Sequence, residues 1–131
     1  MNFLVKIDDV CTIECYLNDI YVGYINYCFT KNGVWLNKIK VLKEYRNRGV
    51  GTALIRVFEN EVLSQCRSVV EGKYFPEDEE NEIVKGFYIA NGYNISREGY
   101  ETEIYKNLVK KHDLRDLNIE YLDVSKGHRR H

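Results

Sequence analysis

The stretch "VWLNKIKVLKEYRNRGVGTALIRVFENEV", residues 34–62, constrains the fold more than any other part of the chain. Apolar residues first alternate over 34–41 as in a strand, and from Leu54 they recur three and four residues apart as in a helix. Between the two patterns lies Arg-x-x-Gly-x-Gly at 46–51. A strand that leads through glycines into a helix leaves backbone N–H groups pointing outward, and the helix dipole favours negative charge there. The pattern therefore predicts a strand–turn–helix unit that binds an anion.

The strand part of this stretch contains a change of phase. Val34 and Leu36 are apolar at even positions, whereas Ile39 and Val41 are apolar at odd positions, so the pattern slips by one near Asn37. One extra residue on one strand of a pair is the definition of a β-bulge. The sequence therefore predicts a bulged strand just before the glycine turn.

The turn itself does not match the best-known phosphate motifs. A P-loop requires Gly-Lys-Ser/Thr at its end, but Thr52-Ala53 follows Gly51. A dinucleotide fingerprint requires a third glycine at the position of Leu54. Taken alone, the residues fit either an anion site or a tight turn with exposed arginines. Arginine favours phosphate because its guanidinium donates fork-like, charge-assisted hydrogen bonds.

The rest of the chain predicts a mixed α/β or α+β domain. Strands dominate the first forty residues, with turns at 18–19 and 30–33, and a strand is predicted at 67–75. A short helix is predicted at 82–93, stopped by Asn91-Gly92, and a last hairpin follows. This order predicts one domain over residues 1–109 and a C-terminal extension over 110–131. Within the extension, 110–124 is predicted as a weak helix and 125–131 as a frayed basic end.

Composition restricts the function. The formal net charge of -1 gives no field that would draw the chain to nucleic acid or to an anionic membrane. The N-terminus lacks the pattern of a signal peptide and no apolar run reaches membrane-spanning length, so we expect a cytoplasmic protein. The four cysteines form no C-x-x-C pair and no zinc pattern. We expect them to be small buried hydrophobes without a metal, with a catalytic thiol as the alternative.

Two motifs in this order resemble the GNAT family of N-acetyltransferases. "IKVLKEYRNRGVGTALI", residues 39–55, is similar to the family's bulged strand and acetyl-CoA-binding turn. "NEIVKGFYIANGY", residues 81–93, is similar to its later helix, with Tyr93 replacing the commoner phenylalanine and Val84 the commoner alanine. The resemblance extends over roughly residues 20–108. It implies a mostly antiparallel central sheet with a bulged, splayed strand and flanking helices.

The resemblance also implies a set of acetyl-CoA-binding residues. Ile39, Lys40 and Val41 would offer backbone groups to the pantetheine arm, while Asn81 and Tyr88 would lie near the thiol. The turn would hold the pyrophosphate, with the amides of residues 48, 49, 51 and 52 as expected donors. The residues of that turn are Arg46, Asn47, Arg48, Gly49, Val50, Gly51 and Thr52.

The implied reaction is transfer of an acetyl group to a primary amine. Tyr88 is the candidate proton donor to the departing thiolate, with a packed aromatic as the alternative. Glu71 is the candidate base if partial burial raises its pKa; an outward-facing glutamate and proton loss to water are the alternatives. A module that binds acetyl-CoA without transferring its acetyl group is the competing function. An interaction protein unrelated to coenzyme A is a third.

The sequence does not identify the acceptor. Only about forty residues precede the motif, which leaves no room for the helix pair that walls the acceptor pocket in the family. The site would then be open, or covered by residues from 110 onward or by a second subunit, so a homodimer is one alternative. The carboxylates of 77–82 could attract a cationic amine, or could form only a solvated loop. The acceptor is a peptide or protein amine, or a small cationic amine.

Overall fold

The computed structural model describes residues 2–8, 11–75, 81–97, 101–123 and 128–130, with the backbone alone at 81, 97 and 128–130. It contains nine strands, two α-helices and two short 3-10 turns within these residues. The strands are β1 Phe3–Ile7, β2 Thr12–Leu17, β3 Ile20–Phe29, β4 Val34–Val41, β5 Val69–Tyr74, β6 Asn94–Arg97, β7 Thr102–Asn107, β8 Ile119–Asp123 and β9 His128–Arg130. The helices are α1 Val50–Ser64 and α2 Asn81–Ala90, and the 3-10 turns are Lys43–Tyr45 and Leu114–Leu117.

All nine strands belong to one mixed sheet, in the order β6-β7-β5-β4-β3-β2-β1-β8-β9. The β4–β5 and β1–β8 pairings are parallel, and the other neighbours are antiparallel. The prediction of a mixed, mostly antiparallel sheet is therefore confirmed. The predicted turn at 18–19 is also present, because Asn18 and Asp19 both have the positive φ angles that a two-residue hairpin turn requires.

The core lies between one face of the sheet and α1. Alternate residues of the strands, such as Val5, Ile13 and Ile25, point towards α1 and are buried. Helix α1 presents Leu54 and Phe58 to them, and both side chains are fully buried. Because strand side chains alternate between the two faces, the residues between these positions form a second face that α1 does not cover.

The predicted bulge in β4 is confirmed. Lys38 pairs with Asn26 and Leu36 pairs with Tyr27, so Asn37 is the extra residue on β4. Pairing between β4 and β5 ends at the same place, since it runs only from Val34↔Val70 to Leu36↔Gly72. Beyond the bulge the two parallel strands continue without pairing to each other. The second half of β4 therefore borders a slot instead of a ladder.

The C-terminal segment corrects the prediction of a weak helix over 110–124. Its helical part is only the 3-10 turn, which Asn118 ends in the left-handed conformation, and strand β8 follows. Strand β8 pairs in parallel with β1, and Ile119 and Asp123 become buried there. The free edge of β1 accepts this strand, and such long-range pairing overrides weak local helical spacing.

The prediction of a frayed end over 125–131 is wrong at 128–130, whose backbone pairs with 121–123. The other residues of that end lie outside the described residues. The division of the chain at 109 stays a prediction.

No counterpart of the family's first helix pair occurs in the described residues before Val50, where the 3-10 turn Lys43–Tyr45 is the sole helical element. The expected lack of that helix pair therefore holds for the described residues, and how the acceptor side is covered stays a prediction. Within the same limits, neither α1 nor α2 combines the length and apolar character that a bilayer crossing requires.

Candidate active site

The glycine-arginine turn forms the N-terminal end of α1. Gly49 is the N-cap, with φ 85° and ψ 5°, and no side chain caps the helix there. Such a left-handed conformation costs glycine little, whereas a Cβ would strain it. The first N–H groups of a helix have no acceptor within the helix. The start of α1 is thus an uncapped set of donors at the positive end of a helix dipole.

Two exposed arginines flank these donors. The Nε of Arg46 donates to the carbonyl oxygen of Val41 at 3.3 Å, which ties the turn to the end of β4. The guanidinium carbon of Arg48 lies 5.3 Å from the centroid of the Tyr45 ring. This arrangement can bind a phosphate through backbone N–H groups together with charged side chains.

Gly51 brings the second helix close to this turn. A Cβ at Gly51 would lie 2.8 Å from Cε1 of Phe87 in α2, closer than real Cβ contacts allow. The absence of a side chain at Gly51 therefore lets the ring pack against the first turn of α1. This contact places α2 beside the end of the slot between β4 and β5.

The slot has β4 on one side and β5 with α2 on the other. Ile39, Lys40 and Val41 pair with β3 on their inner edge, in register with Ile25, Tyr24 and Gly23. Their outer edge does not pair with β5, whose ladder with β4 ends at Gly72. On the far side, Phe75 is 58% exposed and Ile83 is 68% exposed, which offers apolar surface next to a row of backbone groups.

Tyr88 of α2 is buried and packs against Tyr74, in the part of β5 that does not pair with β4. Its ring stacks on Tyr74 of β5, with ring centroids 5.4 Å apart, and meets Tyr93 edge-on at 5.6 Å. Burial, with a smaller contribution from Tyr74, raises the pKa of Tyr88 above its ordinary value. The phenol is therefore protonated at neutral pH. It can donate a hydrogen bond, but it gives up its proton less readily than an exposed tyrosine.

Asn81 is the first residue of α2, which agrees with its predicted place at the start of that helix. Its side chain lies outside the described residues, as do residues 76–80 of the predicted acidic loop. Val84 is half-buried and packs against the core.

Glu71 lies on the open face of the sheet, across from Trp35 on β4 and Tyr105 on β7. It is exposed, so the partial burial on which its role as a base depends is not present. Its carboxylate has no hydrogen bond or ion pair with any residue that the structure describes. Gly72 next to it is the last residue that pairs with β4, so Glu71 lies beside the beginning of the slot.

Sequence analysis missed the cavity around Glu71. An open cavity of about 490 Å³ lies on this face, and its lining includes Trp35, Glu71, Glu103 and Tyr105. These residues are distant in sequence, and only the strand register brings them together. Side-chain alternation shows which residues of one strand share a face of the sheet. It does not show which residues of different strands lie opposite one another.

A buried polar cluster behind the site was also missed. Glu59 of α1 is 1% exposed and accepts a hydrogen bond from the Tyr93 hydroxyl at 2.7 Å. Lys106 of β7 donates to Glu59 at 2.9 Å and to the carbonyl oxygen of Asn91 at 2.8 Å. His112 Nε2 lies 2.6 Å from Glu59 Oε1. The cluster therefore joins α1, the end of α2, β7 and the C-terminal segment.

The cysteines correct part of the sequence prediction. Cys15 is buried as expected, and burial raises the pKa of its thiol to about 12. Cys28 and Cys66 are exposed and Cys11 is only partly buried, so the expectation of burial was wrong for Cys28 and Cys66. Cys28 pairs with Trp35 in the β3–β4 ladder, and its Sγ lies 4.0 Å from Oδ1 of Asn37 at the bulge. None of the four lies on the glycine turn.

The family model of the acetyltransferase (GNAT) domain matches residues 8–95. This match includes the bulged strand, the glycine turn, α1, the slot and α2. The chain belongs to the GNAT family of acetyltransferases. No curated protein matches the chain.

Solved GNAT structures share the fold. PaiA N-acetyltransferase from Thermoplasma acidophilum, in complex with coenzyme A, superposes with a TM-score of 0.66 at 16% identity, over 73% of this chain and 59% of that one. Ard1 from Thermoplasma volcanium superposes with a TM-score of 0.66 at 16% identity, over 76% of this chain and 72% of that one. Naa50 from Arabidopsis thaliana, in complex with the bisubstrate analogue CoA-Ac-MVNAL, superposes with a TM-score of 0.59 at 25% identity, over 76% of this chain and 74% of that one. This GNAT chain therefore spans less than two thirds of the length of PaiA.

Proposed function

We propose that this GNAT protein transfers the acetyl group of acetyl-CoA to a primary amine. The observation that carries the proposal is the glycine turn and uncapped start of α1 at residues 46–52, which follow the unpaired half of β4 along the chain. The coenzyme A complex of PaiA and the CoA-peptide conjugate bound to Naa50 support this ligand class.

The proposed binding mode uses three regions. The amides of Arg48, Gly49, Gly51 and Thr52, with the side chains of Arg46 and Arg48, would hold the pyrophosphate. The free edge of β4 at 39–41 would pair with the amide groups of the pantetheine arm. The start of α2, including Asn81, would lie along the other side of that arm. The residues present fit coenzyme A, because the anion site and the unpaired strand edge occur in the order in which its pyrophosphate and pantetheine follow each other.

In the proposed reaction, a neutral amine nitrogen attacks the thioester carbonyl carbon. A C–N bond forms, the C–S bond breaks, the nitrogen loses a proton, and sulfur leaves as a thiolate that takes up a proton. A backbone N–H at the bulge near Asn37 would stabilise the oxyanion. Enclosure in the slot would position the two reactants, which is a large part of the rate enhancement in such transfers.

The proposed reaction needs a proton donor for the sulfur and a proton acceptor for the amine. Tyr88 would donate a hydrogen bond to the departing sulfur, a role that its protonated, buried hydroxyl suits. Because Glu71 is exposed, water on the open sheet face is the proposed proton acceptor, with Glu71, the carboxylate beside the slot, as the alternative. The exposure of Glu71 keeps both routes available.

A second function competes with the first. The described residues before Val50 contain no helix pair to cover the acceptor side, which fits a module that binds acetyl-CoA without transferring its acetyl group. The two functions differ in one observable, the release of free thiol that depends on an added amine.

Thermal unfolding with acetyl-CoA, and with ATP and NAD as controls, tests cofactor binding. Ligand at a hundred times its dissociation constant adds about 2.7 kcal/mol, so we expect a rise of several degrees for acetyl-CoA alone. Thiol release with a panel of amines then tests transfer. Binding without amine-dependent thiol release would favour the binding module, and a folded protein that binds no acetyl-CoA would refute both functions.

A further inference from the structure

We propose that the cavity on the open sheet face binds a second ammonium group of the acceptor, so that the acceptor is a small aliphatic diamine or polyamine. This inference rests on the proposed acetyl transfer and goes beyond it, because it names the class of acceptor. The volume of about 490 Å³ lies within the range of small-molecule sites.

The cavity presents a carboxylate between two aromatic rings. Trp35, Glu71 and Tyr105 are direct register partners on the adjacent strands β4, β5 and β7. Neighbouring strands lie about 4.8 Å apart, so the three side chains form one row across the face. Aromatic rings attract a cation over their faces, and a carboxylate adds a charge-assisted hydrogen bond. An organic ammonium group satisfies all three side chains at once.

The charges on this face leave room for a cation. The Nζ of Lys73 on β5 lies 3.1 Å from Glu101 and 4.0 Å from Glu103, and the lysines at 38 and 40 on the same face lie beyond the bulge of β4. Glu71 forms no ion pair with any described residue. The carboxylate in the centre of the aromatic row is thus the one that a ligand would neutralise.

The ammonium in the cavity is a different group from the reacting amine. The bulge, where the thioester carbonyl is proposed to bind, lies two to three residues beyond Trp35 along β4. At 3.3 Å per residue the two points are roughly 7–10 Å apart, a distance spanned by an aliphatic chain of roughly four to six carbons. An aliphatic amine with a pKa near 10.4 stays charged at neutral pH, whereas the attacking nitrogen must be neutral. This geometry assigns Glu71 to holding the acceptor, and the proton then leaves to water.

Fluorescence gives a test that does not need turnover. Trp35 is the one tryptophan of the chain, so intrinsic tryptophan emission reports directly on the cavity. We expect a saturable change with diaminopentane and none with pentanediol at equal ionic strength. Glu71→Gln and Tyr105→Leu should remove the response, while Glu14→Gln, on the same face but on β2, should keep it. A response to both compounds, or to neither, would overturn the proposal.

Kinetics separate the two roles of Glu71. With acetyl-CoA saturating, we expect kcat/KM for diaminopentane to exceed that for pentylamine by about tenfold. Glu71→Gln should bring the diamine down to the level of the monoamine and leave the monoamine unchanged, and Tyr105→Phe, which keeps the ring, should stay near wild type.

Three other outcomes are distinguishable. Equal loss of kcat for both amines in Glu71→Gln would make Glu71 the base and overturn the subsite. Equal kcat/KM for both amines in the wild type would overturn the subsite and leave acetyl transfer intact. If no amine is acetylated although acetyl-CoA binds, the proposed function fails, and the fluorescence titration still decides whether the cavity binds a diammonium ion.

Discussion

Substitutions at different residues of the glycine turn differ in how clearly they test the proposed binding of pyrophosphate. Gly49 has φ 85°, so any side chain there strains the backbone by about 1–2 kcal/mol and disturbs the turn itself. Loss of coenzyme A binding in Gly49→Glu could thus come from backbone strain or from the added negative charge. Arg48 is exposed and outside the helix, so its replacement changes charge without forcing the backbone.

Arg48→Glu is expected to weaken acetyl-CoA binding by tenfold or more. A hydrogen bond to a charged group contributes about 1.5–3 kcal/mol, and the variant also adds repulsion. Isothermal titration calorimetry measures the effect. Lys31→Glu, in the distant β3–β4 turn, makes the same change of charge and should retain affinity. Equal losses in both variants would point to long-range charge, and unchanged affinity in Arg48→Glu would place the pyrophosphate elsewhere.

Tyr88→Phe is expected to lower kcat by at least tenfold while leaving the Kd for acetyl-CoA near wild type. The ring and its stacking on Tyr74 are retained, and only the hydroxyl, the proposed donor to the departing sulfur, is lost. Single-turnover kinetics combined with calorimetry measure both quantities. Tyr16→Phe, on the open face of β2, is the matched control. A wild-type rate in Tyr88→Phe would leave Tyr88 with a packing role only.

At the scale of elements, the Glu59 cluster ties four segments together. Glu59→Gln keeps the shape but removes the charge that pairs with Lys106, whose side chain is 19% exposed. Removing one partner of a buried ion pair destabilises a protein by roughly 3–5 kcal/mol, and we expect the lower end because water reaches Lys106. Urea unfolding measures the free energy of unfolding. Glu82→Gln at the surface of α2 is the control, and equal small losses in both variants would remove the structural role of the cluster.

The C-terminal strand gives a second prediction at this scale. A chain that ends at Asn118 lacks β8 and exposes the edge of β1, so we expect a clearly lower melting temperature and self-association through that edge. A chain that ends at Asp123 keeps β8 and should melt close to the full chain. Thermal unfolding and light scattering measure the two properties. Equal stability of both truncated chains would mean that β8 does not stabilise the domain, and would support a domain boundary near residue 109.

At the scale of the whole molecule, buried tyrosines determine the alkaline limit of stability. Burial is the main cause that raises the pKa of Tyr27, Tyr88 and Tyr93, with Glu61 adding to it at Tyr27 and Glu59 at Tyr93. Tyrosine in the unfolded chain ionises at a pKa of about 10. Above that pH the unfolded state binds fewer protons than the folded state, so stability falls as pH rises. Below about pH 10 these three groups make no pH-dependent contribution.

We therefore expect the free energy of unfolding to fall steeply above about pH 10, and the three buried tyrosines to ionise only on unfolding. Urea unfolding at increasing pH and tyrosinate absorbance measure the two effects. In Tyr27→Phe the slope of stability against pH should decrease. Complete ionisation of all tyrosines in the folded protein would contradict the burial of these side chains.

Much of the fold followed from local patterns. The phase slip near Asn37 predicted the bulge because side-chain alternation reports directly on backbone register. The glycine turn predicted a helix directly after it, and α1 begins at Val50; Gly92 has the predicted left-handed conformation after α2. By contrast, β8 was mistaken for a helix, since the edge of β1 that it joins is more than a hundred residues away in sequence.

The sequence by itself determined the strand–turn–helix unit and the likeness to GNAT proteins, and it predicted an anion site in the turn, because each depends on residues close together in the chain. Only the tertiary structure decided which strands are neighbours. That order placed Glu71 between Trp35 and Tyr105, buried Glu59 among Tyr93, Lys106 and His112, and ended the β4–β5 ladder at the bulge. These features depend on contacts between distant segments, which form through burial of the shared core and leave no short-range signal in the sequence.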